Sequence, residues 1–220
     1  KEEALDRELL LKTFFINRNL VREINERDGG LIYTDGEQGL RLGNGFNYSH
    51  PRLEQKPVPL SYTAALLTAG KLLSYYGGWP ENLRLESLSQ EAGEREHLTG
   101  IYQAQWRSYF QGYPLLGEAD VEMRYYSGGL VSCRRSLYEL LYPAGEGVLV
   151  RDYREALAAA VNLLAAEGMD QYTLEEMELA YWFTGNPLSP RAIPVWVIRL
   201  SGQELILRTD ELIPPEGWEP

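Results

Sequence analysis

The sequence predicts an α+β protein made of two repeated helix-plus-antiparallel-sheet units, preceded by an N-terminal helix. Three observations point there. Residues Arg151–Gly168 read as a helix followed by three strand-like segments, Leu174–Phe183, Ile193–Leu200 and Glu204–Asp210. A looser copy of that order runs from Ser61 to Arg135. No helical pattern separates successive strands between Leu174 and Asp210, as a parallel βαβ arrangement would require. The expected divisions are residues 1–59 (helix, then irregular or short-strand chain), 60–142 (first unit), 148–213 (second unit) and 214–220 (tail).

Composition supports a folded chain with a buried core. Of 220 residues, 44% are hydrophobic and 24% charged, which is ordinary for a globular protein. Fifteen Tyr and five Trp suit half-buried pleated surfaces. A net charge of −11 repels phosphate backbones and argues against a nucleic-acid partner. With Cys133 the sole cysteine, an internal disulfide and a multi-cysteine metal site are both impossible.

Taken in order, Glu3–Glu26 reads as one helix, with Leu5, Leu9, Leu10, Phe14, Ile16, Leu20, Val21 and Ile24 near helical spacing, stopped by Asp28-Gly29-Gly30. Leu31–Thr34 and Gly39–Leu42 are candidate short strands, and Gly43-Asn44-Gly45 has turn chemistry. Pro51, Pro57 and Pro59 mark an extended linker. Ser61 is a candidate N-cap for a helix whose apolar face is Tyr62, Ala65, Leu66, Ala69, Leu72, Leu73 and Tyr76. Leu83–Leu88 reads as a strand and Glu91–Glu96 as a charged loop. In Ile101–Phe110, Tyr102, Ala104, Trp106, Ser108 and Phe110 share one face. Val121–Tyr126 and Leu130–Arg135 flank the hairpin turn Ser127-Gly128-Gly129. Leu137–Tyr142 is short and apolar, and Pro143–Gly147 is the expected boundary between units.

In the second unit Asp152 can cap the helix, with Glu155 placed as in a capping box. Leu157, Ala160, Val161 and Leu164 line its buried face. Pro194 suits an edge strand or a strand entry, and Ser201-Gly202 a tight hairpin turn. The repeat matches Leu83–Leu88 with Leu174–Phe183, Ile101–Phe110 with Ile193–Leu200, and Val121–Tyr126 with Glu204–Asp210.

No stretch carries a catalytic signature. There is no Gly-x-Ser-x-Gly elbow, no His-Glu-x-x-His helix and no Walker A loop. His50 precedes a proline in a loop. His97 lies in Glu94-Arg95-Glu96-His97, without the second nearby histidine that a metal cluster needs. Gly43-Asn44-Gly45 lacks the third glycine of a dinucleotide loop, Tyr48 standing in its place. Asn47-Tyr48-Ser49 matches a glycosylation sequon, and Arg134-Arg135 on a strand point to opposite faces. Cys133 reads as a small buried residue. No catalytic, cofactor or metal residue is therefore assigned. The candidate partner contacts are aromatics opposite the assigned core face: Tyr109, Tyr126 and Trp182.

From Ile101 to Asp210 the chain resembles the YycI family, relatives of YycH. The residues that carry this are Phe110-Gln111-Gly112-Tyr113-Pro114, the hairpin Val121–Tyr126 and Gly129–Arg134, and the Ala-Leu pattern of Tyr153–Leu164. Glu178-Leu179-Ala180-Tyr181-Trp182 (with Ala180 where the family has Gly) and Pro194-Val195-Trp196 complete the set. The resemblance implies a regulator of Gram-positive bacteria without catalysis or cofactor, held by an N-terminal membrane anchor with its domain at the extracytoplasmic face. It implies two protein partners, a YycH-like sister regulator and a sensor histidine kinase of cell-wall metabolism. The chain starts at Lys1, and the resemblance leads one to expect an anchor upstream of it. The runner-up reading is a PepSY-like module that inhibits or chaperones a protease or binds a ligand; an enzyme with an unfamiliar site is the third.

Overall fold

The computed structural model describes residues 6–27, 29–43, 45–50, 57–76, 78, 82–92, 98–117, 121–136, 147–166, 168–169, 171–184 and 191–215. Contacts divide the chain into two compact units. The first comprises residues 1–108 and 119–140, the second 109–118 and 141–220.

In the first unit, α1 (Arg7–Phe14) is capped by Asp6, whose carboxylate accepts the Leu9 N–H at 3.1 Å. The helix stops at Phe15, far short of Glu26. A 3-10 turn (Arg18–Leu20) and β1 (Arg22–Asn25) follow. The apolar residues that suggested a longer helix, Ile16, Leu20 and Ile24, are exposed. Their spacing is helical, but they stay outside the core, while Leu10, Leu11 and Phe14 enter it. The chain then forms β2 (Leu31–Thr34), β3 (Gly39–Gly43) and β4 (Gly45–Ser49). After the linker come α2 (Tyr62–Tyr75), β5 (Leu83–Ala92), β6 (Leu98–Phe110), β8 (Val121–Tyr126) and β9 (Gly129–Ser136). The strand order is β1-β2-β3-β4-β9-β8-β6-β5, antiparallel throughout.

Register explains the core. One row crosses eight strands in the order Glu23, Tyr33, Leu40, Tyr48, Cys133, Met123, Ala104, Leu88. With Phe46, Tyr102, Trp106, Val121 and Tyr125 it makes a face that α1 and α2 side chains cover. The adjacent row runs Arg41, Asn47, Arg134, Glu122, Gln105 and is polar. An antiparallel sheet buried on one side and wet on the other gives this alternation. Gly45 is required at its position: its φ is +139°, and a Cβ there would lie 2.0 Å from the Arg135 carbonyl oxygen.

The second unit contains β7 (Tyr113–Leu116), α3 (Tyr153–Ala166), β10 (Leu174–Thr184), β11 (Arg191–Leu200) and β12 (Gln203–Arg208), with sheet order β7-β10-β11-β12. Two-residue turns at Gln111-Gly112 and Ser201-Gly202 have positive φ at both positions, the conformation whose twist matches a hairpin. β7 runs parallel to β10, Leu115 opposite Tyr181 and Leu116 opposite Trp182. These two strands are far apart in sequence, so the absence of a helix between successive strands did not exclude a parallel pair.

Pro194 sits within β11, a central strand, and not on an edge. Its carbonyl accepts the Thr209 N–H at 3.2 Å, just past the end of β12, so its missing donor faces a place where the ladder has already ended. The Thr209 carbonyl takes the Arg151 N–H instead, at 3.1 Å, and the Trp196 indole N–H donates to the Arg151 carbonyl at 3.2 Å. Pro194 and Trp196 thus fasten the lead-in of α3 to the sheet.

The expectation of two repeated helix-plus-sheet units is therefore corrected. The described residues form twelve strands against three α-helices, a mixed, sheet-dominated fold. The first unit draws four strands from residues 1–59, where only two were foreseen, and the second draws β7 from upstream of α3. Short strands with little alternation of their own pair because a partner edge is present, and local sequence does not reveal that edge.

Candidate functional site

Two helices of equal length bury the same ridge. α2 inserts Ala65, Ala69 and Leu73 and α3 inserts Ala156, Ala160 and Leu164, all at most 1% exposed. Positions i, i+4 and i+8 fall on one helix face, and the two alanines let each helix approach its sheet closely. The helices differ beside that ridge. Around α3, the half-buried Leu157, Ala159 and Val161 close against Ile198, Leu200, Leu205 and Leu207, while Tyr153 and Leu163 stay exposed at 49% and 36%. Around α2, Tyr62, Leu66, Leu67 and Tyr75 stay exposed, Leu67 at 60% and Tyr75 at 65%.

Leu66, Leu67 and Tyr75 border a cleft of about 750 Å³ lined by these three with Gly70, Lys71, Ser74, Leu85 and Trp106. Leu85 and Trp106 are register partners on β5 and β6, and the Trp106 ring, 1% exposed, forms the floor. Two ridges of α2 flank the opening, Leu66-Gly70-Ser74 and Leu67-Lys71-Tyr75. Ser61 starts the helix as predicted, its hydroxyl accepting the Ala64 N–H at 3.2 Å. The linker before it is clamped by Tyr102, whose hydroxyl donates to the Leu60 carbonyl at 2.8 Å and accepts the Leu60 N–H at 2.7 Å. Tyr125 donates to the Ala65 carbonyl at 2.8 Å, and burial, with Tyr102 nearby, pushes its phenol up to about 12. The lining is apolar apart from Lys71, Ser74 and the Tyr75 hydroxyl, and the Ser74 hydroxyl donates to the Gly70 carbonyl at 2.9 Å, a lining that suits binding.

The predicted contact residues fall in both units. Tyr109, on the part of β6 in the second unit, is half-buried opposite Pro114. Trp182 is half-buried against Ala180, Val195, Val197 and Ile206, so the sheet face opposite α3 is itself apolar. Tyr126 belongs to the first unit and is only 3% exposed, packed against Gly128, where a Cβ would meet its ring at 2.5 Å.

The remaining candidates take structural places. Cys133 is fully buried, and burial pushes its thiol up to about 12, which removes thiolate reactivity near neutral pH. Arg134 is exposed while Arg135 is buried and donates to the Gly78 carbonyl at 3.2 Å, so the basic pair is split as its alternation predicts. The His50 backbone N–H donates to the Val131 carbonyl at 2.7 Å. His97, Asn44, the segment Leu137–Tyr142 and most of the loop Glu91–Glu96 lie outside the described residues. Among the described residues no group of three His, Cys, Asp or Glu side chains is placed to hold a metal, and no helix is long and apolar enough to cross a membrane.

Fold and cleft together define a sheet-dominated α+β protein with an open apolar cleft on its first unit. No protein-family model matches the chain, and no curated protein matches it. Among solved structures it is similar to the crystal structure, at 1.45 Å resolution, of an uncharacterized protein from Eubacterium rectale ATCC 33656. That match has a TM-score of 0.62 at 12% identity and covers 95% of this chain and 80% of the other. At this identity the likeness concerns the fold alone.

Proposed function

We propose that the protein acts by binding a protein partner at the α2 cleft and not by catalysis. The observation that carries this is the exposed Leu66, Leu67 and Tyr75 over an apolar floor, with Tyr62 exposed one turn before them. Contiguous exposed apolar surface with tyrosines at its ends has the composition of an interface. On α3 the same ridge is flanked by Leu157, Ala159 and Val161 packed on the sheet, with Tyr153 and Leu163 left exposed.

The partner class comes from the sequence resemblance over Ile101–Asp210: a YycH-like sister regulator and a sensor histidine kinase, met at the extracytoplasmic face of a membrane to which the full-length protein is anchored. Binding that favours one kinase conformation over another shifts their populations by the difference in affinity. The test is co-isolation of the full-length protein with a YycH-like partner from solubilised membranes, wild type against Leu67→Arg. Association that Leu67→Arg abolishes is expected; association untouched by Leu67→Arg, or no association, contradicts the proposal.

A further inference from the structure

Lys71 is the single charged side chain lining the α2 cleft, and α2 contains no acidic residue. No hydrogen bond or ion pair engages Lys71 among the described residues. Glu86, next to Leu85 on the cleft's strand, is already taken by Arg107 at 2.5 Å. Among the described residues, a chain of net charge −11 thus leaves this cation at the mouth of its apolar cleft without an acid partner. The lined stretch Leu66–Tyr75 covers roughly 14 Å along the helix axis, about two and a half turns. Gly70 and Ser74 leave the Leu66-Gly70-Ser74 ridge low beyond Leu66, and a facing helix can seat its own ridge there.

We infer that the partner segment is an amphipathic helix with apolar anchors at i, i+3 or i+4 and i+7 and a carboxylate that meets Lys71. This rests on the reading of the cleft as a docking site. The leucine-sized anchors fill the hollow above Trp106, while the acid on Lys71 sets direction and register. A charge at the rim contributes more to selectivity among partners than to raw affinity.

The test uses the full chain and two fluorescein-labelled helical peptides of about 16 residues, long enough to hold a helix. Both carry the same leucine face, flanked by Glu in one and by Lys in the other. Fluorescence anisotropy is expected to show the Glu peptide binding roughly tenfold tighter. Lys71→Glu should reverse that order, Lys71→Met should erase the difference, and Leu67→Ser should weaken both peptides. Equal affinity for the two peptides, with Leu67→Ser still weakening both, overturns the acidic-partner inference and leaves the docking site standing. Failure of both peptides to bind overturns the docking site as well. Dodecanoate that binds wild type, is lost in Leu67→Ser and excludes the Glu peptide shows a small amphiphile as the occupant and also overturns the inference.

Discussion

α2 and α3 are two answers to one packing problem. Each has fourteen residues and lowers an Ala-x-x-x-Ala-x-x-x-Leu ridge onto a sheet. Around α3 Leu157, Ala159 and Val161 close down, while Tyr153, Arg154, Glu155 and Leu163 face water. Around α2 the neighbouring leucines and tyrosines remain outside, next to a cleft floored by Trp106. The buried ridge is thus the structural part of each helix. On the proposed reading, what lies one step around the helix separates a packing element from a binding one.

The largest effects should leave the two helices equal. Leu73→Ala and Leu164→Ala each remove a fully buried side chain and should each cost about 3 kcal/mol in denaturant titrations. A marked inequality would mean that the two ridges do not seat alike. Overpacking at the alanines, Ala69→Leu and Ala160→Leu, should cost about 2 kcal/mol each by the same measurement.

The next effect belongs to the first unit alone. Tyr125→Phe removes the hydrogen bond to Ala65 and should cost about 1 kcal/mol at pH 8. The phenol's pKa is raised on folding, so its contribution is complete below about pH 10, the unfolded value, and falls away as pH rises toward about 12. Between those values the wild type should lose stability more steeply than Tyr125→Phe. Cys133 titrates in both proteins and drops out of the comparison. Equal slopes would contradict the burial of this ring.

The smallest effect on stability carries the functional contrast. Leu67→Ser, at an exposed site, should change unfolding free energy by less than about 0.5 kcal/mol. Leu157→Ser, at a half-buried site on α3, should cost more, measured in the same titration. If the two cost the same, the faces do not differ.

Much of this comparison was legible in the sequence, though not its decisive half. The cap at Ser61, the strands after α3 and the alternation Tyr102-Ala104-Trp106 follow from capping chemistry and period-two patterning. The long first helix failed because Ile16, Leu20 and Ile24 keep a helical spacing yet stay outside the core. β4 and β7 are four or five residues long, and each pairs with a strand far away in sequence. The cleft was missed because Tyr62 and Leu66 were read with Ala65 and Leu73 as one buried face. The signal was present: a helix apolar on more than one side, with no acid and one lysine, exceeds what a single buried face needs. Helical periodicity marks which residues are apolar, but only the sheet beneath decides how many of them it can cover.

The most direct test of the central claim is amide hydrogen exchange of the full chain with and without the Glu-bearing helical peptide. The account predicts slowed exchange confined to Tyr62–Tyr75 and the adjoining Leu83–Ala92, with α3 unchanged. Slowed exchange centred on Tyr153–Ala166, or none on Tyr62–Tyr75, would contradict it.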